Sequence, residues 1–276
     1  MNMIGNDRIA IILAGGSGSR IMPITKAYSK HLLPVYNKPM IFYSMSTLIR
    51  LGHKKIIIIT NPEHKENYFN LFKNGEDLGI IIDYVIQNQP NGIAEAFLLC
   101  KKWIKNKKTT LILGDNIFFS KFENIVIKNN SATVVTSNVN NPYDYGVVER
   151  SNKKIKIIEK PKTTKSKEIV TGLYFYDHKV LEYAKQLKPS SRGELEISDI
   201  NNKYLNEKKL YFYEMKSIDT WFDAGNFDTL LDVSYFIKSV EGKRNLIFGC
   251  PYQSAHDQKL ISNRKFDKIK KILKYY

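Results

Sequence analysis

The sequence carries two cysteines, Cys100 and Cys250, in 276 residues. Two thiols cannot build a disulfide framework, and neither stands at a metal-ligand spacing from any of the five histidines. That scarcity fits a reducing cytoplasm. Long apolar runs are missing too: Ile9 to Ala14 is too short for a signal-peptide core, and no stretch approaches the roughly 20 residues of a membrane span. No membrane partner is expected. Acidic residues are few, 27 against 43 basic ones, giving a net charge of +16. Such a field gathers anions and raises the question of nucleic acid. Arginine, whose planar fork reads base edges, supplies only seven of the 43 cations, and the lysines are spread along the chain apart from a locally basic stretch after Arg264. The surplus reads as a solvated surface, and no nucleic-acid partner is expected.

What is present is an alternation. The runs IAIILA (9–14), KIIIIT (55–60), IIIDYVI (80–86), TLILG (110–114) and ATVVTS (132–137) are nearly continuous in apolar character, as strands buried on both faces must be. Between them lie helix-length segments at 39–52, 63–75 and 92–104, the first with Pro39 at its start and Gly52 at its end. This predicts an α/β fold with a Rossmann-like, mainly parallel twisted sheet and helices on both faces. After Asn140 the strands YGVVER, KIKIIEK and IVTGLYFYD follow with few helices, predicting a smaller mixed-sheet lobe before the chain returns to C-terminal helices.

The first strand runs into LAGGSGSR, Leu13 to Arg20, whose glycines at 15, 16 and 18 let backbone amides converge on an anion beside a fixed cation. It is neither a dinucleotide fingerprint, since Ile21 stands where the third glycine belongs, nor a P-loop, since no Gly-Lys-Ser/Thr follows. The next segment carries Lys30 and Lys38. Asp115 follows the strand LILG, where a divalent cation beside a triphosphate would find a hard oxygen ligand, and DTWFDAGN offers a second carboxylate, Asp223. Each aspartate alone could equally be a turn or cap residue.

Together the ordered strings LAGGSGSR, SKHLLPVYNKPMIFY, QNQPNGIAEAF, LILGDNIFF, YGVVE, IEKP, VTGLYFYD, KPSSRGELEISDIN and WFDAGN resemble the sugar nucleotidyltransferases over about residues 8 to 252, in particular the branch using dTTP and glucose 1-phosphate. The resemblance implies transfer of a thymidylyl group to glucose 1-phosphate, giving dTDP-glucose and pyrophosphate for deoxysugar and cell-surface polysaccharide precursors; a sister activity with UTP or another sugar 1-phosphate is the alternative. It implies a catalytic domain over 1–245, with a nucleotide lobe to about 140 and a sugar lobe over 141–225, then a Lys-rich helical tail over 246–276. Arg20 and Lys30 would be catalytic. Leu13, Gly15, Gly16, Ser17, Gly18, Ser19, Gln87, Gly92 and Asp115 would bind nucleotide, the Gln87 amide matching a pyrimidine edge. Gly146, Glu159, Lys160, Tyr174, Arg192 and Trp221 would bind the sugar phosphate, and Asp115 with Asp223 would hold Mg²⁺. A homotetramer or homodimer is implied. The chain departs from the family pattern at Ser19, which replaces threonine but keeps the hydroxyl, at Asn88 and Gln89 after Gln87, and at Phe119-Ser120-Lys121, near a position associated with a regulatory nucleotide site.

Overall fold

The computed structural model describes residues 4–5, 7–16, 18–151, 154–244 and 247–273. The chain divides into two compact units, the first comprising Met1–Gln89, Leu113–Phe118 and Phe222–Tyr276, the second Pro90–Ile112 and Phe119–Trp221. The division is interleaved, in contrast to the single lobe boundary near residue 140 read from the sequence.

In the first unit the chain forms β1 (Arg8–Ala14), β2 (Pro34–Val35), β3 (Lys38–Pro39), α1 (Ile41–Arg50), β4 (Lys55–Thr60), α2 (Lys65–Phe72) and β5 (Ile81–Ile86). Strands β1, β4 and β5 run parallel, with Leu13 opposite Ile59 and Ile57 opposite Asp83. Ile11, Ile12 and Ile56 to Ile59 have no exposed surface, which is why these runs show no polar alternation. Helix α1 is buried from Ile41 to Ile49 and ends where Gly52, at φ 91°, takes the left-handed conformation that a Cβ would oppose.

The chain continues in the second unit with α3 (Glu95–Leu99), α4 (Lys101–Ile104) and β6 (Lys108–Leu113), and β7 (Asn116–Phe119) covers the next exchange between units. Then come β8 (Ala132–Asn138), β9 (Gly146–Ser151), β10 (Lys154–Glu159), β11 (Glu168–Tyr176), α5 (Val180–Lys185), α6 (Ile197–Asn206) and β12 (Leu210–Glu214). β11 pairs antiparallel with β6, β8 and β9, β9 pairs antiparallel with β10, and β12 runs parallel to β8. The architecture is thus α/β, with β1, β4 and β5 of the first unit parallel and the strands of the second unit mixed in direction. Two details differ from the sequence reading. The runs at 110–114 and 132–137 pair antiparallel with β11, because burial on both faces carries no signature of strand direction, and the helix expected over 92–104 is broken at Cys100.

Strand β13 (Thr220–Asp223) leads back to the first unit and its helices α7 (Phe227–Arg244), α8 (Pro251–Asp257) and α9 (Asn263–Ile272). A buried ion pair anchors α7: Lys38 Nζ lies 2.7 Å from Glu241 and 2.6 Å from Asn37 Oδ1, while Glu241 also accepts the Phe248 N–H at 2.8 Å. A lysine without exposed surface requires such partners. Helix α8 lies on α1 through the Ser46–Ser254 hydroxyl pair at 2.7 Å, and Phe266 of α9 stacks on His256 at 4.4 Å. Among the described residues no helix is long and apolar enough to cross a membrane.

Truncating the centre of β4 tests this core. Ile57→Ala should cost about 2–5 kcal/mol, read as a lower urea midpoint at unchanged slope; a midpoint equal to that of the wild type would contradict the burial described.

Candidate functional site

In the first unit the turn after β1 bends because its glycines permit it. Gly18 adopts φ 63°, and a Cβ there would stand 2.7 Å from Thr25, whose hydroxyl donates to the Gly18 carbonyl at 2.9 Å. Gly15 is buried against Gln87, whose Oε1 would lie 2.5 Å from an added Cβ, so the glycine is what lets that amide approach. Gly16 faces open space, leaving its main chain accessible. Leu13 lies within β1, Ser19 and Arg20 form the short turn that follows, and Ile21 anchors it in the core. Ser17 lies outside the described residues.

Two cation–carboxylate pairs stand in the same unit. Lys30, at the head of a buried turn, pairs with Asp115, which also accepts from Asn116 Nδ2 at 3.0 Å. Burial opposes ionisation of Asp115, but the charge on Lys30, then His31, and the hydrogen bonds from Lys30 and Asn116 hold its carboxyl well below the usual range. His31 is pushed down to about 3, by burial first and by Lys30 second, so it is a neutral packing group near neutral pH. The second pair is Arg20 with Asp223, at 3.6 Å, the guanidinium being half exposed. A Cβ on Gly225 would stand 2.6 Å from Arg20 and 2.8 Å from Asp223, so this pair also depends on a glycine. The two aspartates are linked through the main chain, the Ala224 N–H donating to the Asp115 carbonyl at 2.9 Å. From α1, the buried Ser44 hydroxyl lies 3.2, 3.2 and 3.4 Å from the carbonyls of Leu113, Gly114 and Asn116, and so helps fix the segment that carries Asp115. Gln87, buried, follows β5, its N–H donating to the Thr60 carbonyl at 2.8 Å.

In the second unit Glu159 ends β10 and accepts from Ser198 at the start of α6. Gly146 lies opposite it, where a Cβ would stand 2.9 Å from the Ser198 hydroxyl. Burial raises the Glu159 pKa, Glu196 raises it further, and Ser198, Arg192 and Lys160 oppose the shift. Arg192 is braced by Glu196 at 2.9 and 3.1 Å and by Glu194 at 2.9 Å. Lys160 takes φ 40°, its N–H donating to the Tyr145 carbonyl at 2.9 Å, and the Tyr145 ring meets Trp221 edge-on at 5.6 Å. Tyr174 is buried and stacks on Tyr176 at 6.1 Å, as a core aromatic would. Gly92, at φ 101°, is required by the Leu195 backbone, which a Cβ would meet at 2.5 Å. Glu159, Lys160, Arg192 and Gly146 therefore share one neighbourhood. Ser44, His31, Ser198 and Glu196 were missed by the sequence reading; Ser198 and Glu196 lie inside the ELEISDIN string, and His31 follows Lys30, but only tertiary contact reveals what they support.

A glycine turn and two cation–carboxylate pairs thus stand in the first unit of this α/β frame, and a cluster of Glu159 with neighbouring cations stands in the second. The sequence pattern of the nucleotidyl transferase family matches residues 9–240, and the chain belongs to that family. Relatives carry a narrower name. Glucose-1-phosphate thymidylyltransferase from Neisseria meningitidis is 41% identical over 94% of this chain and 92% of its own length, and that from Mycolicibacterium smegmatis is 42% identical over 89% and 87%. A Bacillus anthracis crystal structure, assigned as a glucose-1-phosphate thymidylyltransferase and solved with sucrose, is 40% identical with a TM-score of 0.78, covering 89% of this chain and 99% of that one. UDP-glucose pyrophosphorylase in complex with UDP-glucose matches at 22% identity and a TM-score of 0.71 over 84% and 99%, a likeness of fold.

The raised Glu159 pKa has a thermodynamic consequence. An acid whose folded pKa lies above its unfolded one contributes stability that is present at low pH and lost as pH rises from about 4.5 through the folded value. Glu159→Gln keeps an acceptor for Ser198 but does not titrate, so its stability relative to the wild type should climb across that window. Chemical denaturation at stepped pH measures this, and parallel curves would refute the assignment.

Proposed function

We propose that the protein transfers a thymidylyl group from dTTP to glucose 1-phosphate, releasing pyrophosphate and forming dTDP-glucose. The observation that carries this reading is the first-unit cluster: a glycine turn at the end of β1 with Lys30–Asp115 and Arg20–Asp223, the two aspartates joined through the Ala224 N–H. In the reaction a non-bridging oxygen of the sugar phosphate attacks the α-phosphorus of dTTP, the bond from that phosphorus to the α–β bridging oxygen breaks, and pyrophosphate leaves with the electron pair. The attacking phosphate is already ionised near neutral pH, so positioning and charge neutralisation are what the protein must supply. A neutral His31 and the absence of a nucleophile–base pair from the sequence reading accord with that demand.

Each group then has a task. Gly15, Gly16 and Gly18 present main-chain amides to the triphosphate, Arg20 neutralises the departing pyrophosphate, and Lys30, fixed by Asp115, holds phosphate oxygens in line. The buried Gln87 amide offers a donor and an acceptor to the pyrimidine edge. In the second unit Glu159 accepts from sugar hydroxyls, while Lys160 and Arg192 hold the sugar phosphate. Mg²⁺ suits the donor set: it takes one or two carboxylates plus phosphate and water, and Asp115, held ionised, stands on a segment tied directly to Asp223. When bound by these two residues the ion would spread the charge that develops around the α-phosphorus. The relatives' names support dTTP over UTP. A cytoplasmic homo-oligomer that supplies precursors for cell-surface polysaccharide, lipopolysaccharide included, completes the reading.

With dTTP, glucose 1-phosphate and Mg²⁺ the protein should release pyrophosphate, with kcat/KM for dTTP exceeding that for UTP by at least about tenfold, since the base methyl alone is worth about that much in a pocket and the two also differ at the 2′-hydroxyl; no pyrophosphate at high enzyme concentration would sink the proposal. Asp115→Asn should lower kcat by at least about 100-fold with far-UV circular dichroism unchanged, and a near-wild-type rate would remove Asp115 from the site. Lys160→Ala should raise KM for glucose 1-phosphate by about tenfold with little change in kcat, whereas an unchanged KM would exclude Lys160 from phosphate capture.

A further inference from the structure

In the second unit Arg192 and Glu196 form a two-point contact that a loose surface ion pair lacks. Arg192 Nε lies 3.1 Å from Glu196 Oε1 and Nη2 lies 2.9 Å from Oε2, so one edge of the guanidinium is held by both carboxylate oxygens. Nη2 also donates to Glu194 at 2.9 Å. Among the described residues Nη1 takes no hydrogen-bond partner, and the side chain is 32% exposed. A planar fork fixed along one edge points its remaining nitrogen in a set direction.

The carboxylate is the anchored member of the pair. Glu196 is 6% exposed and stands immediately before α6 with extended backbone, at φ −79° and ψ 132°. Its Oε1 also accepts the Ser190 hydroxyl at 2.6 Å, and the oxygen of that hydroxyl accepts the Arg192 N–H at 3.2 Å. The main chain just ahead of it is clamped, the Leu195 N–H donating to the Asn91 carbonyl at 2.7 Å and the Leu195 carbonyl accepting from the Ala94 N–H at 3.2 Å. Gly92 permits this clamp, because a Cβ there would stand 2.5 Å from the Leu195 oxygen. A glycine a hundred positions away in the chain thereby helps fix the carboxylate that orients Arg192.

A buried acid beside a phosphate-binding arginine acts against the binding of an anion through its charge, and it also raises the pKa of the neighbouring Glu159. Without it, Arg192 would offer the same positive charge with more of its five donors unengaged. What the carboxylate contributes is direction, since a long side chain ordered before the substrate arrives loses less freedom on binding. We infer that Glu196 is a positioning residue for sugar-phosphate capture: it locks the Nε–Nη2 edge of Arg192 and leaves Nη1 as the donor to a phosphate oxygen. Glu196 acts only through Arg192 and does not touch the substrate. The inference rests on the reading that Arg192 holds the phosphate of glucose 1-phosphate.

Steady-state kinetics with each substrate varied in turn separates this role from a merely structural one. Glu196→Gln keeps the side-chain volume and should raise KM for glucose 1-phosphate by at least about tenfold, with kcat and KM for dTTP within about twofold of the wild type. Arg192→Ala should raise the same KM, and adding Glu196→Gln to it should change that KM by less than about twofold, because two residues acting through one contact are not additive. Ser190→Ala removes a neutral hydroxyl from the same carboxylate and should raise KM for glucose 1-phosphate by about threefold. An unmoved KM in Glu196→Gln, or full additivity in the double variant, overturns the positioning role while the proposed reaction stands. Should Glu196→Gln fail to fold, an unmoved KM in Ser190→Ala overturns it in the same way. A wild type that releases no pyrophosphate from these substrates overturns the proposed reaction itself, and this role with it.

Discussion

The buried pair of Lys30 and Asp115 is the interaction around which the first unit is organised. A charged lysine and a charged aspartate taken out of water are costly unless every remaining donor and acceptor is met. Here Asn116 donates to the carboxylate, Ser44 from α1 meets the carbonyls beside it, and Ala224 donates to the Asp115 carbonyl. Gly114 is part of the same constraint, because a Cβ there would stand 2.7 Å from the His31 ring that packs beside the pair. The parallel strands, the glycine turn and the return of the chain at Ala224 all converge on holding one carboxylate ionised and one ammonium fixed.

That arrangement suits phosphoryl chemistry because the reaction asks for fixed charge more than for proton transfer. A site serving as a general base would need a group poised near neutral pH, and the histidine at hand is driven down to about 3 by burial. The +16 surplus falls into place beside this. Arg20, Lys30, Lys160 and Arg192 are the cations to which phosphate contacts are ascribed, three of them braced or paired by neighbouring carboxylates, while most of the others remain on a solvated surface. Substrate charge is thus met by a few oriented groups within a broadly positive field.

Much of the frame is legible in the sequence because parallel strands buried on both faces leave uninterrupted apolar runs, as Ile56 to Ile59 do, and because glycines at 15 and 18 mark a turn that other residues resist. Strand direction is not legible: Leu111 and Val134 are as buried as Ile57, yet they lie in strands paired antiparallel with β11. The interleaving of the two units is equally hidden, since it arises only when distant segments pack together. For the site, the strings single out residues that the fold gathers, Lys30 with Asp115 in one unit and Glu159 with Arg192 in the other. Gly92 and Tyr174 show the limit: close backbone approach to Leu195 accounts for the glycine and core stacking for the tyrosine. Supporting residues such as Ser44 and Ser198 leave no local signature, because their roles arise only when distant segments meet.

The central claim is that the sugar phosphate itself attacks the α-phosphorus while the neighbouring cations hold the leaving pyrophosphate. Glucose 1-phosphate labelled with ¹⁸O in its non-bridging phosphoryl oxygens, incubated with dTTP and the enzyme, tests it by ³¹P NMR isotope shifts. All of the label should appear in dTDP-glucose, one labelled oxygen bridging the two phosphorus atoms, with none in pyrophosphate. Label in pyrophosphate, or dTTP left unconverted, would contradict the account.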